Sequence, residues 1–281
     1  MTVFLNGRFV AEDQAMVSVF DRGFLYGDGL FETLRVAHGR PFRWPQHWER
    51  LERGLALLRL ALPFSVSELR AAADQLIRRN QAPECVLRLT LSRGIGPRGY
   101  SIQGLGQPTV VISLHPLPVV HPESPPRWRL IHSSVRIRAN DPLAGIKSAN
   151  KLPSILARAE AEAAGVDEGL LSTPEGHVVE AASANLFWVR DGIVGTPPLT
   201  SGALPGVTRA AVLELCRELG IPARESNVSR AELGQADGVF LTLSSLGIVE
   251  ALSLDGRVLA VSPVVNALRQ GYARMVDTET G

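Results

Sequence analysis

The chain has 281 residues, 45% of them hydrophobic, and a formal net charge of +1 with no run of like charge. That length buries a sizeable core in one large domain or two modest ones, and the balanced charge offers no surface for nucleic acid or a membrane. No window approaches the ~18 consecutive apolar residues of a membrane span, and the start, MTVFLNGRFV, lacks the basic and then apolar pattern of a signal peptide.

The first ten residues read as a hairpin turning at Asn6-Gly7, a dipeptide that suits a primed turn. A second hairpin is expected in FETLRVAHGRPFRW, with His38-Gly39 at its tip. WPQHWERLERGLALLRLAL spaces Trp48, Leu51, Leu55, Leu58 and Leu60 for a helix, and SVSELRAAADQLIRRN predicts another capped by Ser65 or Ser67. Strands follow at ECVLRLTLS, where Cys85 reads as a reduced core thiol, and at PTVVISLHPL.

Five prolines crowd residues 115–127, HPLPVVHPESPPR, which neither a helix nor a central strand absorbs. We therefore expect residues 1–118 and 128–281 to form separate domains joined by a linker at 119–127. In the second half RWRLIHSSV predicts a strand. A helix is expected from about Pro153 to Gly165, with the proline in its first turn and the glycine at its end. EGLLST, HVVEAASANLFWV and GIVGT form a dense β region. GVTRAAVLELCRELG is a helix ended by Gly220 and Pro222, with Cys216 on its apolar side. GVFLTLSSLGIVEALSLDGRVL supplies further strands, and a last helix covers roughly 262–276. Hairpins with only some strand–helix alternation argue for an α+β fold. Two distant cysteines in apolar runs make cytoplasm the expected place of work.

GIGPRG at 94–99 matches a dinucleotide-binding glycine pattern, but no helical period follows it and no carboxylate stands ~20 residues on. Its glycines read instead as a tight turn or a close approach of backbone to ligand. The six histidines have no metal-ligand spacing, so no zinc site is expected, and no serine is marked as a nucleophile.

Of 29 basic residues only Lys147 and Lys151 are lysines, and both lie in LAGIKSANKLPS. Unlike arginine, a desolvated lysine gives up its proton and attacks a carbonyl to form a Schiff base. Lys147 follows four uncharged residues, which suits a neutral amine; two lysines left by compositional drift are the plainer account. Glu180 is a carboxylate within an otherwise apolar strand region. Gly206, Val207 and Thr208 open a helix whose free N–H groups suit a phosphate, and TLSSLG supplies a hydroxyl-rich turn. Lysine, carboxylate, helix N-terminus and arginine are the parts that hold pyridoxal phosphate.

The segments DRGFLYGDGLFETLRV (21–36), LAGIKSANKLPSILARAEA (143–161), VVEAASANLFWVRDGIVGTP (178–197) and LPGVTRAAVLEL (204–215) together resemble the class IV aminotransferases. These are the fold type IV pyridoxal-phosphate enzymes, which include branched-chain and D-amino-acid transaminases and aminodeoxychorismate lyase. The resemblance implies a small N-terminal α/β domain, a larger C-terminal cofactor-binding domain with a barrel-like sheet, and a homodimer in which the loop around Tyr26 to Phe31 reaches the neighbouring site. It further implies that Lys147 forms the Schiff base and that Glu180 pairs with the pyridine nitrogen. Arg50, Val207, Thr208 and Ser244 would hold the phosphate. At Ser244 the TLSS turn departs from the family's usual small-residue turn.

Phe31, Arg98 and Tyr100 are the expected substrate contacts. D-amino-acid transaminases carry tyrosine where this chain has Phe31 and histidine where it has Tyr100, which tells against D-specificity. SRGIGPRGY looks most like the lyase group, whereas KSANKLPSILARAEA looks more like the transaminases. We read the chain as a transaminase that moves an amino group between small amino and keto acids, with the lyase, which releases pyruvate and forms 4-aminobenzoate, as the alternative.

Overall fold

The computed structural model describes residues 1–118, 120 and 123–281; of the proline-rich stretch, Val119, His121 and Pro122 lie outside the described residues. The chain divides into two compact units. The first comprises Met1–Leu117, Ile146–Asn150 and Val276–Gly281, and the second Pro118–Gly145 and Lys151–Met275. The turn and linker signals of the sequence do not announce that 146–150 and 276–281 count with the first unit.

The first unit begins with β1 (Thr2–Leu5) and β2 (Arg8–Ala11), joined where Asn6 and Gly7 take the positive φ values of 48° and 87° that a primed turn requires. There follow α1 (Arg22–Tyr26), β3 (Gly29–Ala37), β4 (Arg40–Pro41), α2 (Trp44–Leu58), α3 (Val66–Asn80), β5 (Cys85–Ser92) and β6 (Thr109–Pro116). The strands form one sheet in the order β2-β1-β6-β5-β3-β4, with every pairing antiparallel. Period-two alternation then sorts its two faces. Leu30, Leu34 and Val36 of β3 share a buried cluster with Leu87, Leu89 and Leu91 of β5, and with Leu51 of α2 and Leu69 and Leu76 of α3. Phe31, Thr33 and Arg35 alternate with them and so belong to the opposite face. Glu32 has the parity of the leucines, which puts a carboxylate among apolar side chains.

The second unit contains β7 (Arg127–Arg136), α4 (Leu152–Ala163), β8 (Glu168–Ser172), β9 (Val178–Ala181), β10 (Asn185–Arg190) and β11 (Ile193–Thr196). It continues through α5 (Val207–Glu218), β12 (Ala223–Glu225), α6 (Arg230–Leu233), β13 (Gly238–Leu243), β14 (Gly247–Leu254) and β15 (Arg257–Val258) to α7 (Pro263–Thr280). Its sheet runs β12-β11-β10-β13-β14-β7-β8-β9, and β9 pairs again with β10 through Glu180 and Asn185. That last pairing joins six strands into a ring, the barrel-like sheet expected of the C-terminal half. Closure leaves those strands no bare edge. Leu130, Leu170, Val178, Leu186, Val239 and Leu241 form one buried cluster in this unit.

Helix α3 starts as its sequence predicts. The Ser65 hydroxyl accepts from the Glu68 N–H, and the Glu68 carboxylate accepts from the Ser65 N–H at 2.7 Å. Its inward Leu69 is fully buried. In chemical denaturation, Leu69→Ala should cost about 3 kcal/mol of unfolding free energy, and Ser65→Ala about 1 kcal/mol. A smaller loss at 69 than at 65 would mean that capping, not burial, fixes this helix.

Candidate active site

Three residues far from β3 in sequence, Lys147, Ser148 and Ala149, extend its pairing. The Phe31 N–H donates to the Lys147 carbonyl at 3.0 Å, the Ala149 N–H donates to the Gly29 carbonyl at 2.9 Å, and Leu30 and Ser148 form an antiparallel bridge. Backbone pairing therefore fixes where Lys147 stands, independently of its side chain. The side chain is half-buried, with Nζ 4.6 Å from the centroid of the Phe31 ring. The Arg88 guanidinium lies 4.0 Å from the same centroid. Arg88 sits opposite Thr33 in the β3–β5 register, and burial pushes its pKa below the ordinary value. A half-buried cation beside the lysine favours an anionic ligand.

On the leucine side of β3, α2 brings His47 and Arg50 to Glu32. Arg50 grips the carboxylate with Nε on Oε1 at 2.8 Å and Nη2 on Oε2 at 2.6 Å. His47 Nδ1 lies 2.7 Å from Oε2, so the tautomer that bonds an ionised carboxylate carries its proton on Nδ1. All three residues are buried, at no more than 3% exposure. Burial alone would push the Glu32 carboxyl up; the Arg50 fork and the His47 hydrogen bond outweigh it and hold it at about 2. Burial lowers the His47 pKa, and although Glu32 opposes this, Arg50 and Lys147 add to it, so the ring stays neutral at neutral pH.

Arg98 and Tyr100 occupy the loop between β5 and β6 and are exposed, Tyr100 at 86%. The chain runs from these glycines into β6. Gly94, at φ 78°, comes so near Gln107 that a Cβ would lie 2.0 Å from its carbonyl oxygen. Loop-to-loop packing therefore requires this glycine. Asp28 anchors the loop's start, accepting from Arg93 Nε at 2.8 Å and Arg22 Nε at 2.9 Å, while Arg22 also donates to the Gly99 carbonyl at 2.7 Å.

In the second unit Glu180 is set by the pairing that closes the sheet. Its carboxylate accepts from the Leu204 N–H at 2.9 Å and from Asn185 Nδ2 at 3.2 Å, and that amide also donates to the Leu204 carbonyl at 2.8 Å. Two residues on, Gly206 caps α5 with no side-chain acceptor for the N–H groups of Val207 and Thr208. A Cβ at Gly206 would fall 2.0 Å from Asn185 Oδ1, so only glycine lets the helix begin here. Val207 and Thr208 are buried, whereas Ser244 is half-buried in the turn from β13 to β14. Thr242, paired with Asn185 across the sheet, has a buried hydroxyl with no hydrogen-bond partner among the described residues. An uncapped helix start, an orphaned buried hydroxyl and an anchored carboxylate in one unit fit a phosphorylated heterocycle.

The structure thus joins Phe31 to Lys147, and Glu180 to the turn that opens α5. Sequence reasoning missed Glu32, His47, Arg88 and Thr242. Each carried a signal: a polar residue at a strand position whose neighbours are apolar, or a histidine one helical turn from an arginine.

A family model described as amino-transferase class IV matches residues 29–254. A putative branched-chain-amino-acid aminotransferase of Methanocaldococcus jannaschii is 37% identical over 281 residues, spanning 100% of this chain and 97% of its own. The solved branched-chain amino acid aminotransferase of Escherichia coli superposes with a TM-score of 0.93 at 31% identity, covering 100% of this chain and 96% of that one. The 4-amino-4-deoxychorismate lyase of Pseudomonas aeruginosa gives a TM-score of 0.85 at 36% identity, covering 98% and 99%.

The Glu32 network has a pH signature. Its folded pKa lies below the ordinary 4.5, so its stabilisation is complete above that pH and is lost as pH falls toward about 2. The loss should amount to about 3 kcal/mol. Denaturation at stepped pH should show this slope in the wild type and its absence at this position in Glu32→Gln. Equal slopes would mean that Glu32 is not the titrating group.

Proposed function

The chain belongs to the class IV amino-transferase family, whose members work with pyridoxal 5'-phosphate, and from that premise we propose that it is a transaminase acting on small amino and keto acids. The observation that carries this reading is the backbone-fixed Lys147, its amine against the Phe31 ring with the half-buried Arg88 beside it. When bound, the cofactor supplies an aldehyde that condenses with amines and a ring that accepts electrons from the carbon bearing nitrogen.

Lys147 would provide the amine that anchors the cofactor and the Nζ that moves the proton on and off that substrate carbon. Glu180, fixed by Leu204 and Asn185, keeps a proton on the pyridine nitrogen. Arg50, the Val207 and Thr208 amides, the Thr208 hydroxyl and Ser244 hold the phosphate. Phe31 walls the substrate, and Arg88, Arg98 and Tyr100 are the groups able to receive its carboxylate. Two free, buried cysteines suit a cytoplasmic protein.

Lys147→Arg keeps the charge and removes the imine-forming amine. Turnover should fall by about 10³-fold or more, and the yellow colour of the purified protein should be lost. Retained colour and turnover would exclude Lys147 from the chemistry.

A second reading, aminodeoxychorismate lyase, is favoured by the 36% identity to the Pseudomonas enzyme and by the SRGIGPRGY loop. Pure protein given aminodeoxychorismate alone, and separately branched-chain amino acids with 2-oxoglutarate, separates the two. We expect a new keto acid only when 2-oxoglutarate is present. Pyruvate formed with no amino acceptor would establish the lyase instead.

We further infer a homodimer. Met16, Val19, Phe20 and Phe24 are 75%, 63%, 65% and 75% exposed within one short segment of the first unit, an apolar density that a second copy would cover. Light scattering should give twice the chain mass for the wild type and the single mass for Phe24→Asp; a monomeric wild type would remove this inference.

A further inference from the structure

Glu32 is the one carboxylate on the leucine face of β3, and it is held by two residues of a single face of α2. His47 and Arg50 stand three positions apart on that helix, which places both side chains over the same strand residue. Stability alone does not call for this arrangement, since well-packed apolar side chains would serve it as well. Desolvating an arginine and a glutamate opposes burial, and leucine already fills the neighbouring positions on that face. What a buried fork supplies is direction. Two bonds from Nε and Nη2 fix both the plane and the roll of the Arg50 guanidinium, and the His47 bond fixes the carboxylate that does so.

We propose that Glu32 is a positioning residue for cofactor binding, setting the Arg50 guanidinium for the phosphate group; the inference rests on the reading of Arg50 as a phosphate ligand. Net charge distinguishes this role from its alternatives. Glu32 is ionised and His47 is neutral, so the trio carries no net charge at neutral pH. If charge alone governed phosphate affinity, removing the Glu32 anion would tighten binding. If direction governs it, the same change weakens binding although the site becomes more positive.

The test uses the full chain stripped of cofactor and titrated with pyridoxal 5'-phosphate and, separately, with pyridoxal, which lacks the phosphate. Visible absorbance reports binding. For Glu32→Gln we expect affinity for the phosphorylated cofactor to fall about tenfold, the scale on which an outer partner tunes a ligand-holding residue, with pyridoxal affinity unchanged. Arg50→Gln should show the same selectivity, and the double variant should be no weaker than Arg50→Gln alone. Where Glu32→Gln does not give folded protein, Glu32→Asp keeps the charge and shortens the reach, and a smaller loss confined to the phosphorylated cofactor is expected. Tighter or unchanged phosphate-dependent binding in the Glu32 variants, or equal loss of both ligands, overturns the positioning role. Arg50→Gln without effect on the phosphorylated cofactor overturns the underlying assignment of Arg50 instead.

Discussion

A charge leaves water only against a partner, and most of the geometry of both units follows from that constraint. In the first unit it draws α2 onto Glu32 through His47 and Arg50, and it draws α1 and the start of the β5–β6 loop onto Asp28 through Arg22 and Arg93. Burial raises the pKa of both carboxyls, but the arginines overcome it and both end below their ordinary values. The second unit holds a carboxylate by backbone and amide donors as well. The Leu204 N–H and the Asn185 amide take up the Glu180 carboxylate at the pairing that closes the sheet.

What the sequence made legible divides along the same line. The hairpin at Asn6-Gly7 and the cap of α3 at Ser65 depend on residues within a turn of one another, and local chemistry announces them. Lys147 and Glu180 stood out because each is a rare type for its surroundings: an amine in a chain that otherwise uses arginine, and a carboxylate in an apolar strand region. Arg88 was passed over because its meaning lies in the β3–β5 register, which sets it opposite Thr33 and over the Phe31 ring. Glu32 was hidden for the reverse reason. Alternation marks it as inward, but only the helix packed above it explains how an anion survives there.

The two glycines that packing requires have different physical origins. Gly94 needs both a left-handed backbone and room for the Gln107 carbonyl. Gly206 has an ordinary φ of −67°, and what it lacks is space, because Asn185 fills the volume a methyl would take. Asn185 is itself bound to Glu180 and Leu204, so the start of α5 and the place of the carboxylate are one packing problem with a single small solution.

The segment 146–150 carries a consequence for biosynthesis. Residues 1–117 leave the ribosome as a contiguous stretch, yet the Phe31 N–H and the Gly29 carbonyl find their partners only at Lys147 and Ala149. While the intervening chain is still being made, that end of β3 keeps bare donors and acceptors, the kind of edge on which nascent chains stick to one another. Arrival of the lysine therefore ends the exposure of the nascent edge in the same event that installs the amine.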